Sequence, residues 1–173
     1  MPYIFDINPR VGPTSGNTTV IAYGSNYNST DEIKCKFGNK IVEGEFVALN
    51  EIKCISPAVK NPGFVDLSVS VLGDNFGKPV KYLYYETPII ESIEPICGPT
   101  TGYTQITVKG TNFAYTGHGM VHCIFGDIHT PATVMSSTEL KCDSPDIHES
   151  KDLVKQIFFN VTVTLNGKDR STY

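Results

Sequence analysis

The sequence predicts an all-β chain built as two tandem sandwiches, and three observations predict it. A long stretch is used twice: Pro9–Tyr27 reads PRVGPTSGNTTVIAYGSNY and Pro95–Phe113 reads PICGPTTGYTQITVKGTNF, with Pro, Gly-Pro-Thr, Gly, Thr, Gly and Asn in register. A repeat of this length marks a duplicated structural unit. Apolar and polar residues alternate over short runs, and no segment keeps a helical period over about 11 residues. Glycine and proline, 15 and 11 in number, punctuate those runs in the way that separates short antiparallel strands.

The repeat assigns residues 1–86 to a first unit and 87–173 to a second, each large enough to hold its own core. Tyr3–Ile7 opens the first unit as a short strand ending at Asn8-Pro9. A Gly-Pro turn then reverses the chain, and the next glycine allows a tight backbone approach. Strands follow at Thr18–Tyr23 and Thr104–Lys109. In the second copy Ile106 and Val108 alternate with Gln105, Thr107 and Lys109. By register, Val20 and Ala22 point inward, and Thr19, Ile21 and Tyr23 outward. Gly24 and Gly110 stop these strands ahead of an asparagine and an aromatic residue.

The strand Ile33–Gly38 answers Val121–Gly126, with odd positions inward, Cys35 and Cys123 among them. Glu45–Leu49 is read as a further short strand, and Ile52–Pro57 answers Leu140–Pro145. Leu67, Val69 and Val71 face in, against Asp66, Ser68 and Ser70 facing out. Val161, Val163 and Leu165 repeat this against Asn160, Thr162 and Thr164. Asp146–Lys155 is polar and reads as one helical turn at most. Val80–Tyr85 closes the first unit, but only Lys168–Tyr173 remain after Gly167 in the second. Its closing strand is therefore expected to be missing or outside the segment, the chain continuing further or another chain adding the strand. The linker Glu86-Thr87-Pro88 is short and stiffened by proline, which implies a semi-rigid rod.

The 173 residues are 40% hydrophobic and 18% charged, with net charge -4. An acidic chain with no basic run argues against nucleic-acid binding. No apolar stretch approaches the roughly 20 residues of a membrane span, so this segment is not expected to insert directly. Met1 is followed by neither a basic start nor an apolar core, so no signal peptide is read. The chain is read as a fragment or mature segment.

These residues resemble tandem IPT/TIG domains, the immunoglobulin-like units shared by plexins and some transcription factors. The resemblance rests on Pro88-Ile89-Ile90, Ile93, Pro95, Gly98-Pro99, Gly102, Thr104, Ile106, Val108, Gly110, Asn112-Phe113, Phe125-Gly126 and Cys142–Pro145. In the first unit it rests on Ile4, Ile7, Pro9, Gly12-Pro13, Gly16, Thr18, Val20, Ala22, Gly24, Asn26-Tyr27, Phe37-Gly38 and Cys54–Pro57. The usual second glycine of Gly-Gly-Thr gives way to Asn17 and Tyr103. The resemblance implies two immunoglobulin-like β-sandwiches and leaves activity open, because fold does not dictate function.

Cys35 and Cys54 lie 19 positions apart, as do Cys123 and Cys142, all on inward positions of strands that a sandwich brings together. Two disulfides are expected, buried free thiols being the alternative; zinc is disfavoured because neither unit offers four ligands at finger-like spacing. Cys97 stands where the first unit has Val11 and is read as a free, partly buried thiol, or as pairing outside the segment. Sequons at Asn17, Asn28 and Asn160 are read as carrying N-linked glycans, the first and last on outward strand positions and Asn28 in a turn. Paired cysteines with sequons imply an oxidising, extracellular or cell-surface setting. Ile21 and Tyr23 face outward where the second unit has Thr107 and Lys109, which makes them a candidate partner contact.

No catalytic, cofactor or metal site is read. His118, His122, His129 and His148 have no acidic third ligand beside them. Asp143, Asp146 and Glu149 offer too few oxygens for calcium. No nucleophile elbow or phosphate-cradling loop occurs. The expected function is non-enzymatic recognition, adhesion or spacing in a larger cell-surface or secreted glycoprotein, with another protein or the chain itself as partner. The alternatives are a stalk or filament subunit completed by strand exchange, and accessory domains of an extracellular enzyme.

Overall fold

A computed structural model of the chain describes residues 2–28, 32–147 and 157–172. By its internal contacts the chain divides into two compact units, Met1–Glu86 and Thr87–Tyr173. Every regular element among the described residues is a strand.

In the first unit these are β1 (Tyr3–Asn8), β2 (Val11–Pro13), β3 (Thr19–Ser25), β4 (Lys34–Phe37), β5 (Lys40–Ala48), β6 (Glu51–Ile55), β7 (Gly63–Ser70) and β8 (Val80–Tyr85). Their ladder order is β1-β3-β6-β5-β4-β7-β8-β2. The ladder folds into two layers at β5, whose residues Lys40–Glu43 pair with β4 while Gly44 onward pairs with β6. At the crossing, a Cβ on Gly44 would sit 2.6 Å from Ile33 Cγ2 and 2.9 Å from Cys35 Sγ, so the close approach leaves no room for a side chain. β5 is longer than the strand expected at Glu45–Leu49 because its first half belongs to the other layer. Between the layers Val20, Ala22, Ile52, Leu67 and Tyr82 are wholly buried.

The second unit holds β9 (Ile89–Glu94), β10 (Gln105–Thr111), β11 (His122–Phe125), β12 (Ile128–Ser136), β13 (Glu139–Asp143) and β14 (Val161–Thr164), in the order β14-β11-β12-β13-β10-β9. β12 crosses as β5 does. The Ala132 N–H donates to the Val121 carbonyl at 3.0 Å, as the Gly44 N–H donates to that of Ile33 at 2.9 Å. Val108, Leu140, Val163 and Leu165 are wholly buried.

Hydrogen bonds explain the composition of the repeat. The Thr18 N–H donates to Ser56 Oγ, and that of Thr104 to Ser144 Oγ, both at 3.1 Å. The serine N–H groups return bonds of 2.9 Å to the threonine carbonyls. The serine of each Ser-Pro thus satisfies the backbone where the strand begins. Gly16 and Gly102 have φ of 75° and 74°, and a Cβ on either would meet the backbone of residues 57–58 or 145–146 within 2.7 Å. Asn26 and Asn112 both have φ of 63° and turn the chain so that Tyr27 and Phe113 fold back over Gly24 and Gly110.

Tyr27 and Phe113 differ by one hydroxyl, and that of Tyr27 is buried without a hydrogen-bond partner among the described residues. Burial pushes the Tyr27 pKa up to about 12. Tyr27→Phe is expected to leave the first unit as stable or about 1 kcal/mol more stable in urea titrations, since an unmet buried hydroxyl is removed. The pH dependence has a defined sign. Unfolded tyrosine ionises near 10, whereas folded Tyr27 keeps its proton to about 12. The unfolded state therefore binds fewer protons in that window, and stability present below pH 10 is lost as pH rises from 10 towards 12. Tyr84 is pushed up as well, by burial and then by Tyr82 beside it. The variant should accordingly show a shallower alkaline decline, not a flat one.

Several orientations differ from the alternation. Gly12-Pro13, read as a turn, lies in β2 and pairs parallel with β8; the turn follows it, closed by the Gly16 N–H on the Pro13 carbonyl at 2.9 Å. Ser68 and Ser70 are buried, not outward. The segment after β7 folds back along it: the Gly77 N–H donates to the Val69 carbonyl at 3.0 Å, and Ser70 Oγ to that of Gly73 at 2.9 Å. Thr164 is buried for the same reason, since the Ser171 N–H donates to the Val163 carbonyl at 2.7 Å. Ile124 is buried although it lies opposite Cys123 and Phe125, paired with Thr162, whose hydroxyl is also buried. Most of the Asp146–Lys155 turn lies outside the described residues.

Candidate contact surfaces

The two disulfides join the layers of each unit. Cys35 on β4 bonds Cys54 on β6 with Cα atoms 6.0 Å apart, and Cys123 on β11 bonds Cys142 on β13 at 6.3 Å. All four are buried. Cys97 is free and exposed, not partly buried as expected. Its counterpart Val11 is only 8% exposed because β8 covers it, and no strand covers Cys97 among the described residues.

Ile21 and Tyr23 lie on the outer face of β3 and are half-buried. Ile21 is paired with Asn8 and Lys53, and Tyr23 with Asp6 and Glu51. Lys53 forms an ion pair with Glu45, and Arg10 with Asp6. The apolar pair is therefore set among charges. Phe5, which the alternation does not single out, is more open at 57%. A bulge between Ile4 and Asp6 ejects it while Ile4 and Ile7 both stay inside. Strict alternation from Ile7 would have placed Phe5 in the core.

Asn17 is exposed with φ of 64°, in the turn ahead of β3 and not on the strand itself. Its N–H donates to the Ser56 carbonyl at 2.8 Å, leaving the side chain outward. Asn28 is exposed, while Ser29 and Thr30 of its sequon lie outside the described residues. Asn160 is exposed immediately before β14.

His122 packs against His129 with ring centroids 5.8 Å apart, and His118 is exposed elsewhere. No group of three or more candidate ligands that could hold a metal occurs among the described residues, outside which His148 and Glu149 lie.

A family model for the IPT/TIG domain matches the chain twice, over residues 2–84 and 88–173. The chain belongs to the IPT/TIG domain family. Among curated relatives, Plexin-A2 of Mus musculus is 30% identical over 149 residues, and Plexin-A2 of Homo sapiens 28% identical over 149. Each alignment covers 84% of this chain and 8% of the relative, so the chain spans a small part of the length of these proteins. Among solved structures, the full extracellular region of Plexin A4 aligns with all of this chain and 15% of its own, at 20% identity and a TM-score of 0.58. A second structure of that region aligns at 22% identity and a TM-score of 0.53. These IPT/TIG units are immunoglobulin-like β-sandwiches. The extracellular setting implied by paired cysteines and sequons agrees with these relatives.

Proposed function

We propose that this chain is a non-enzymatic recognition segment in the extracellular part of a larger cell-surface protein, acting through protein–protein contacts. The observation that carries the reading is the tandem of family units, matched in sequence to Plexin-A2 and in fold to the extracellular region of Plexin A4. Two buried disulfides and exposed sequon asparagines support it, since both suit an oxidising compartment. The outer face of β3, with Ile21, Tyr23 and Phe5, is the contact surface proposed: apolar anchors within a charged rim are the usual make-up of a partner site.

The test is binding of a multimerised, secreted form of the chain to cells. Saturable binding that disappears when the cells are treated with protease is expected; binding that survives treatment would exclude a protein partner. Ile21→Thr with Tyr23→Lys is expected to weaken it about tenfold or more. Equal binding by that variant removes this face from the proposal. Secretion from a eukaryotic host is also expected to attach glycans at Asn17, Asn28 and Asn160. Glycosidase digestion with Asn→Gln variants reads each site, and an unchanged mass would discard it.

A further inference from the structure

The second unit carries a pair of metal-ligating side chains that the first lacks and that the receptor reading does not use. His122 on β11 and His129 on β12 stand on a hairpin closed at Gly126-Asp127. His122 is opposite Pro131, and His129 is opposite Ile124, so the two imidazoles lie on a diagonal of one ladder. Even spacing along each strand puts both on the same face. Their ring centroids are 5.8 Å apart, and the rings are inclined by 62°. The matching positions in the first unit are Lys34 and Ile41, on the equivalent diagonal of β4 and β5.

Three features prepare this pair to share a metal ion. His122 Nδ1 lies 3.3 Å from the Met120 carbonyl oxygen. A carbonyl oxygen only accepts, so the contact holds the ring proton on Nδ1 and leaves the lone pair of Nε2 open. Metal-binding histidines are oriented in this way, their second nitrogen donating to a carbonyl or carboxylate. The strand that carries His122 is also held firmly: the neighbouring Cys123 is bonded to Cys142 on β13, and His122 itself pairs with Thr164 on β14. The separation fits as well. Two imidazoles that share a metal, each through a nitrogen ~2.1 Å from it, have centroids about 5 Å apart. The observed separation is less than an ångström longer. His129 is exposed and closes the difference by turning about its side-chain bonds.

We infer that His122 and His129 form a binding site for a divalent transition metal of the zinc class, ligated by one nitrogen of each ring. Imidazole suits such metals, whereas calcium and magnesium require oxygen ligands. Pro131 and Ile124, the residues opposite the two histidines, offer no side-chain donor, so water fills the remaining positions. Two protein ligands make an open site, unlike the closed four-ligand sets of structural zinc. The inference uses β11 and β12 of the second unit and does not rest on the receptor reading, so either can fail alone.

The test is a calorimetric titration of the whole chain with Zn²⁺, in a Cys97→Ser background because Cys97 is the thiol outside the disulfides. Saturable binding of one ion per chain is expected. His122→Gln and His129→Gln should each weaken it by about tenfold or more. Replacing His118 and His148 together by glutamine should leave the affinity unchanged, and Ca²⁺ should give no binding heat. His129 is exposed, so an unaltered thermal transition of His129→Gln without metal is expected to show an intact fold. Nitrogen NMR of the imidazoles supplies a second readout. His122 should carry its proton on Nδ1 in the metal-free chain, and its Nε2 signal should shift with Zn²⁺. Absence of saturable binding overturns the inference, as does equal affinity of either single variant. Loss of binding in the His118 and His148 variant would assign the ion to those residues and overturn it as well. A metal-free His122 protonated on Nε2 would do the same.

Discussion

Tyr82→Ala is expected to destabilise the first unit by about 3–5 kcal/mol, at the upper end of single core truncations. The ring is wholly buried, packs edge-on against Phe37 at 5.3 Å and against Tyr84 at 5.0 Å, and roofs Gly12. Removing it leaves a void that β8 cannot collapse into, because β7 and β2 hold that strand on both sides. Guanidinium titration of the whole chain, followed by signals assigned to each unit, should show the first unit's transition moving and the second's staying put. A shift below about 1 kcal/mol would mean that the ring contributes no more than a surface residue. The second unit is the natural reference, since no aromatic pair stands in its corresponding slot among the described residues.

Replacing Cys123 and Cys142 together by alanine is expected to lower the stability of the second unit by about 3 kcal/mol, from the chain entropy that the bridge removes from the unfolded state. The same change at Cys35 and Cys54 should act on the first unit to a similar degree, because both loops span 19 positions. The consequence should be more severe in the second unit, whose ladder is shorter by two strands among the described residues. Denaturation of each double variant against the parent checks this. Equal midpoints with and without a reductant would show that the bridges add nothing.

The strands and most of the core could be read from the sequence because they follow from local pattern. Leu67 and Val69 lie on the inward phase of a run whose partners are polar, Val20 and Ala22 take their phase from the register of the second copy, and all four are buried. What could not be read depends on residues distant in sequence. Ser68 and Ser70 look solvent-facing until the segment around Gly77 is laid back over β7. Gly12-Pro13 looks like a turn until β8, some seventy residues later, runs beside it. β5 hides its length because it changes layers at Gly44 and never holds one face long enough to alternate. Among the residues of the proposed contact face, the outward position of Ile21 and Tyr23 was legible from comparison with Thr107 and Lys109. Phe5 was not, because a bulge leaves no mark in the apolar pattern.

The crossing strands carry a mechanical consequence. β5 lies wholly between Cys35 and Cys54, and β12 wholly between Cys123 and Cys142. Tension applied along the backbone passes through each sulphur–sulphur bond and bypasses the strand that joins the two layers. Each bridge withholds about 60 Å of chain from extension. A unit pulled open by its two ends therefore keeps its central corner closed, and can refold from it once the load is released.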